Sequence, residues 1–237
     1  MGKVLLGIDQ STVVARYLVF RIVFQEESEL PAWKGNILRG AIGSLLAKAC
    51  GFEKLNCQRC NLWSQCPYGY LYRARSKGIV LSKLSGISKP FVLKPPLVLD
   101  KAFRPGDELV FSIVLFGDAI RFEKDVILSI LDLGRRGIGI KDRRGKFIVS
   151  EITTVNPYQG FESILYKNNV FYESRALIKY SDLVAKAREL TRYNGFTIKF
   201  LTPFRLLSKN NVVLPVNLEV ILKYALRRFT NIFAQYM

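Results

Sequence analysis

Three observations on the sequence predict an α+β fold. Several segments alternate apolar and polar residues with the period of a strand. Others repeat apolar residues at helical spacing, and the two kinds interleave along the chain. Hydrophobic residues make up 49% of the 237 positions, enough to bury a core over most of that length.

The first strand is YLVFRIVF, 17–24. Leu18, Phe20, Ile22 and Phe24 share one face, which must meet helices. Tyr17, Val19, Arg21 and Val23 form the other, a mixture suited to an open sheet that touches RNA or another domain. Ile37, Leu38, Ala41, Ile42, Leu45, Leu46 and Ala49 then predict a helix over 34–50. Its opposite face carries Gly40, Gly43, Ser44 and Ala47, with Arg39 and Lys48 at the edges. An interior glycine costs about 1 kcal/mol relative to alanine. This face therefore suits close approach by another backbone, either the protein's own or an RNA's.

Pro95 and Pro96 make SKPFVLKPPLVLD, 88–100, an edge strand or a loop. Leu109, Phe111, Ile113 and Leu115 line one face of a strand over 107–117. A helix runs from Ala119 to Leu133, stopped by Gly134, and the strand KFIVSEITTV follows. The order over 14–155 is β-α-β-β-α-β, that of a ferredoxin-like (RRM-like) domain, with a Cys-rich insertion at 50–72. Residues 156–195 read as a connecting segment ending in a helix over 181–195, capped by Ser181. Residues 196–237 read as a partial second ferredoxin-like unit. It comprises a strand over 196–207 broken at Pro203 and a helix from about Val216, whose apolar face needs a cover.

Charge narrows the function. Lys and Arg number 36 against 19 Asp and Glu, a formal net charge of +17, and aromatics make up 12%. Such a surplus neutralises phosphates, so nucleic acid is the expected partner. No apolar run reaches the roughly 18 residues of a membrane span, and the N-terminus makes a poor signal peptide, so the expectation is a cytoplasmic protein with no membrane partner. The chain has no histidine, which rules out Ser-His-Asp and Cys-His catalysis. Acidic residues show no strand-end pairing of the kind a two-metal nuclease uses, so no catalytic metal is expected.

GRRGIGIKDRRGKF, 134–147, follows a helix and precedes a strand, the reverse of a dinucleotide-binding turn. Arg135, Arg136, Lys141, Arg143, Arg144 and Lys146 instead predict a flexible cationic surface for RNA backbone. All four cysteines fall in one stretch: Cys50, Cys57, Cys60 and Cys66, spaced C-x6-C-x2-C-x5-C. That spacing fits structural zinc in a tetrahedron of four thiolates, a 4Fe–4S cluster or two disulfides. In these three cases, though not in the fourth alternative of free thiols, the cysteines hold the shape of a loop that has no core of its own.

LPAWKGNILRGAIGSLL, CPYGYLY, LDLGRRGIGIKDRRGKF and FTIKFLTPFRL occur in that order. Together they resemble the RAMP superfamily of CRISPR-associated proteins, above all its precursor-crRNA-processing endoribonucleases of the Cas-six type, over about 14–236. The resemblance implies tandem ferredoxin-like domains that bind CRISPR repeat RNA. It also implies metal-independent cleavage, in which a ribose 2′-OH attacks its own phosphate. By position, Lys34 and Arg39 match where that family places catalytic groups, with Tyr68, Tyr70 and Tyr72 as looser candidates. A lysine of depressed pKa would serve as base in place of histidine. Members usually continue to a glycine-rich loop beyond the second-domain helix, so the chain reads as truncated at Met237. Two alternatives stand beside the endoribonuclease. One is a non-catalytic RAMP subunit that scaffolds crRNA among other Cas subunits or as a homodimer. The other is a metal-stapled interaction module.

Overall fold

β1 (Val13–Phe24) is the spine of the molecule. A computed structural model of the chain describes residues 9, 11–50, 56–57, 59–75, 88–202, 204–208, 211–214 and 217–237. After β1 come β2 (Ser28–Glu29), α1 (Gly35–Lys48), α2 (Pro67–Tyr72), β3 (Phe91–Lys94) and β4 (Ala102–Phe103). β5 (Glu108–Phe116) leads through a 3-10 turn, Gly117–Phe122, into α3 (Glu123–Arg136). β6 (Ile138–Ile140), β7 (Arg143–Gly145) and β8 (Phe147–Asn156) follow. Then come β9 (Phe161–Lys167), β10 (Val170–Phe171), β11 (Leu177–Lys179) and α4 (Tyr180–Leu190). β12 (Leu207–Ser208), β13 (Asn211–Val212) and α5 (Leu218–Tyr236) complete the chain.

The main sheet runs β10-β9-β8-β1-β5-β3, antiparallel throughout, with β11 also on β1. Its central strands β8-β1-β5-β3, with α1 and α3 as crossovers, have the split β-α-β order of a ferredoxin-like fold. The α+β reading therefore holds. Leu18, Phe20, Ile22 and Phe24 are fully buried, and the register sets Phe20 opposite Phe111 with their rings stacked at 5.2 Å. α1 and α3 cover that face through Leu38, Ile42, Leu46, Ile127 and Ile130. On the other face a smaller cluster forms around Val14, Ala15 and Ile178, with Tyr17, Val114, Leu183 and Phe233 packed against it. Among the described residues no helix is long and apolar enough to cross a membrane.

Three local expectations need correction, and a fourth, cover for the last helix, is met only in part. Gly134 does not end α3. It lies inside the helix, where only a glycine fits because a Cβ would meet the Phe147 carbonyl at 2.4 Å; the stop is Gly137, at φ +80°. Ser181 does not cap α4. The helix begins one residue earlier, and Asp182 closes it by accepting the Lys179 N–H at 2.8 Å. The strand expected over 196–207 is absent among the described residues except for Leu207–Ser208, which pairs with Asn211–Val212. Phe196, Ile198 and Phe200 are exposed, and without a neighbouring strand the segment has nothing to bond to. Pro203 and Val216 lie outside the described residues. Finally, only the last turn of α5 is covered. Ile232 and Tyr236 are buried, while Leu218, Leu222 and Phe229 stay exposed.

Residues 156–180, which show no clear periodicity, supply three strands of the sheet. β9 pairs with the edge of β8, β10 with β9, and β11 with the start of β1, tertiary conditions that local pattern does not record.

Candidate nucleic-acid interface

α1 meets α2 through its small residues. A Cβ on Gly43 would lie 2.6 Å from Cε1 of Tyr72, so the tyrosine ring sits where a larger residue would have stood. Gly40, one turn earlier, has nothing within 4 Å and leaves the face open. The result is a cleft of about 460 Å³ bordered by Asn36, Arg39, Gly40, Ser44, Tyr68 and Tyr72. The two glycines therefore act differently: one admits an aromatic ring of the protein itself, the other keeps the mouth clear.

Aromatic rings organise the cations of this cleft. The Arg39 guanidinium lies 4.8 Å from the Phe91 ring centre and 5.7 Å from that of Tyr72. Tyr72 Oη donates to the Arg39 carbonyl at 2.9 Å, tying α2 to α1. Burial pushes the Tyr72 phenol far above its ordinary pKa, so it stays a neutral donor. Tyr68 stacks on Tyr72 at 5.7 Å and accepts from Arg73 Nε at 3.1 Å. Lys89 completes the group. Burial, reinforced by the charges of Arg39 and Arg73, holds its pKa below the ordinary 10.5. No ion pair among the described residues engages Arg39, Arg73 or Lys89. Three cations crowded together with no carboxylate repel one another unless an anion joins them.

Lys34 lies elsewhere. It is fully buried, donating from Nζ to the carbonyls of Val98 at 2.8 Å and Ala32 at 3.2 Å, 5.5 Å from the Phe103 ring centre. Burial lowers its pKa, and the Asp100 carboxylate opposes that shift. Lys34 thus anchors the entry to α1, while Arg39 faces the cleft with α2; the two do not share a surface. Tyr70 is also interior, 1% exposed, with its pKa pushed up to about 12 by burial and then by Asp118. Arg73, Lys89 and Phe91 are the members of this group that sequence reading passed over. The available signal was only the cation-aromatic sequence KPF at 89–91.

The basic stretch after α3 is a fixed hairpin. Gly145 lies so close to the β1–β2 loop that a Cβ there would meet the carbonyls of Glu26 and Glu27 at 2.6 Å. The flexible surface expected there is therefore replaced by β6 and β7 docked on β2. Half of its cations are already engaged: Arg136 with Asp132 at 2.7 Å, Arg143 with Glu29, and Lys146 with Glu26 at 3.1 Å. Arg135, Lys141 and Arg144 are exposed and make no ion pair among the described residues.

Cys50, Cys57, Cys60 and Cys66 all border one cavity of about 360 Å³. All four are free thiols in this structure. Among the described residues no group of three or more Cys, Asp or Glu side chains is gathered tightly enough to hold a metal as it stands. Burial, then the neighbouring Cys66 and Cys50, push the Cys57 thiol pKa up. Cys66 caps α2, its Sγ accepting the Gly69 N–H at 3.4 Å.

A ferredoxin-like α+β domain with an aromatic, cation-rich cleft on its first helix is thus the class that fold and site define. Residues 12–177 match the family AF_1859_N, described as an N-terminal domain, and the chain belongs to that family. An uncharacterized protein of Archaeoglobus fulgidus is 26% identical over 199 residues, which cover 81% of this chain and 61% of that protein. The chain therefore spans about three-fifths of the length of this curated relative. A solved structure described as the Csm3–Csm4 subcomplex of the type III-A CRISPR–Cas interference complex aligns with a TM-score of 0.42 and 14% identity. That alignment covers 78% of this chain and 99% of the other.

Proposed function

We propose that the protein binds single-stranded RNA, drawing the phosphodiester backbone into the cleft between α1 and α2. The carrying observation is the group Arg39, Arg73 and Lys89, set among aromatic rings and paired with no carboxylate among the described residues. Arginine provides two parallel donors to a phosphate, and the aromatic faces hold each guanidinium in place before the anion arrives. Arg135, Lys141 and Arg144 extend the contact along the hairpin. The four sequence stretches that resemble RAMP proteins make CRISPR repeat RNA the substrate class, and other Cas subunits or a second copy of this chain the protein partners.

The test is binding of labelled repeat RNA across a salt series. Log K is expected to fall against log salt with a slope near −0.7 for each phosphate engaged. A flat dependence would reject the reading.

Lys89 favours a second reading, that the protein also cuts the RNA. A lysine whose pKa is lowered by burial and by two neighbouring guanidinium groups gains the character of a base for the ribose 2′-OH, with Arg39 and Arg73 to stabilise the charge that develops on phosphorus. Lys34, enclosed and bonded to two carbonyls, would then position α1 instead of touching RNA. Incubation with repeat RNA in a chelator should yield a 2′,3′-cyclic phosphate end. Intact RNA that remains tightly bound would leave only the scaffold role.

A further inference from the structure

We propose that Cys50, Cys57, Cys60 and Cys66 bind one zinc ion as thiolates, and that this centre fixes the α2 side of the cleft. The four residues come from the end of α1, a turn, and the cap of α2, yet all face one cavity. A tetrahedral Zn–S site, with bonds of about 2.3 Å, needs its sulfurs roughly 4 Å apart. As they stand, the four thiols around the cavity do not form such a group. Loading would therefore draw the Cys57 and Cys60 thiols inward.

The surroundings suit an anionic centre. Four thiols that lose their protons to solvent and take up one divalent ion carry a net charge of about −2. Arg59 borders the cavity, and no Asp or Glu lines it among the described residues. Arg73 lies within electrostatic reach of Cys57. Arg75 stands 5.5 Å from the Trp63 ring centre and donates from Nη2 to the Cys57 carbonyl. Its Nε is buried with no hydrogen-bond partner among the described residues. A buried donor left unpaired is costly, and a sulfur drawn inward would supply its acceptor. The Gly69 N–H bonded to Cys66 Sγ already makes this kind of contact.

The consequence reaches the cleft because Cys66 is the residue on which α2 starts. Tyr68 and Tyr72, two and six positions on, form its aromatic wall. The site does not rest on the RNA reading, since its test reads metal and thiols.

The protein is purified without chelator and its metal measured by elemental analysis. About one zinc per chain is expected, with Cys60→Ser and Cys66→Ser losing most of it. Arg75→Met, which removes the donor, should weaken zinc binding by about 10–100-fold. Should the serine variants fail to fold, replacement of zinc by cobalt in the unaltered chain reports thiolate coordination from its visible spectrum. Four thiols should become reactive only after the metal is stripped. Metal-free protein with four reactive thiols, thiols lost to disulfides, or iron with inorganic sulfide would each overturn the proposal.

Discussion

Tyr72 occupies the space that a side chain on Gly43 would need: a Cβ there would come within 2.6 Å of the ring. Overpacking of this kind costs about 1–3 kcal/mol, and Tyr72 is held by its bond to the Arg39 carbonyl. Gly43→Ala should lower the urea midpoint accordingly and weaken RNA binding by displacing α2. Gly40→Ala, with nothing within 4 Å, should instead gain about 1 kcal/mol. Equal effects from the two alanines would contradict the distinct roles assigned to these glycines.

Arg39→Ala removes the guanidinium stacked on Phe91 and Tyr72. If it grips one phosphate, the salt dependence of single-stranded RNA binding should become shallower by about 0.7. The cost should be similar for all sequences, because the contact is to the backbone. A sequence-dependent loss would point to base recognition instead.

Lys89 makes binding sensitive to alkali. Its folded pKa lies below 10.5, first through burial and then through Arg39 and Arg73. A bound phosphate favours the ammonium form, so binding takes up a proton once the free side chain has lost one. Affinity should thus fall as pH rises through the lowered pKa, over a window that ends below 10.5. In the same window the unfolded chain holds more protons than the folded one, so the lysine's contribution to stability rises with pH. Lys89→Gln should flatten both limbs, read by RNA titration and by denaturation across pH.

Arg16 is 5% exposed and its Nε meets Glu123 Oε2 at 2.6 Å. It also donates to the carbonyls of Ser174 at 3.2 Å and Ala176 at 3.3 Å, joining β1, α3 and the approach to β11. Glu123→Ala leaves that charge without its carboxylate and should cost about 3–5 kcal/mol. Arg16→Met combined with Glu123→Leu should cost less than the single change, as chemical denaturation would reveal.

Asp182 ties α4 to the sheet by accepting from Asn156 at 2.9 Å, Gln159 at 2.7 Å and the Lys179 N–H at 2.8 Å. Burial raises its pKa, but these donors together outweigh burial and hold it below 3.8. Its contribution to stability is therefore complete above 3.8 and is lost as pH falls through the lowered value. Asp182→Asn should cost about 1–3 kcal/mol at neutral pH and remove that acid limb.

Much of the core was readable because its pattern is local. Alternation along β1 and β5 places Leu18, Phe20, Leu109 and Phe111 inside without knowledge of their partners. Helix ends were less legible: Gly134 and Gly137 look alike in sequence, and only the approach of Phe147 shows which one lies within the helix. The site was legible in fragments. The small-residue face of α1 and Arg39 stood out, whereas Lys34 has the same chemical signature and proves to be interior. Burial of a single lysine depends on what packs above it, here Val98 and Phe103, more than sixty residues away.

The sequence by itself determined the alternation of strands and helices, the cationic surplus and the grouping of the thiols, because each is a property of neighbours along the chain. Only the tertiary structure decided which cations act together. Arg39, Arg73 and Lys89 come from α1, the end of α2 and the approach to β3, and they meet because Gly43 lets Tyr72 pack against α1. Electrostatic and packing forces depend on distance in space, and that distance exists only once the sheet has closed.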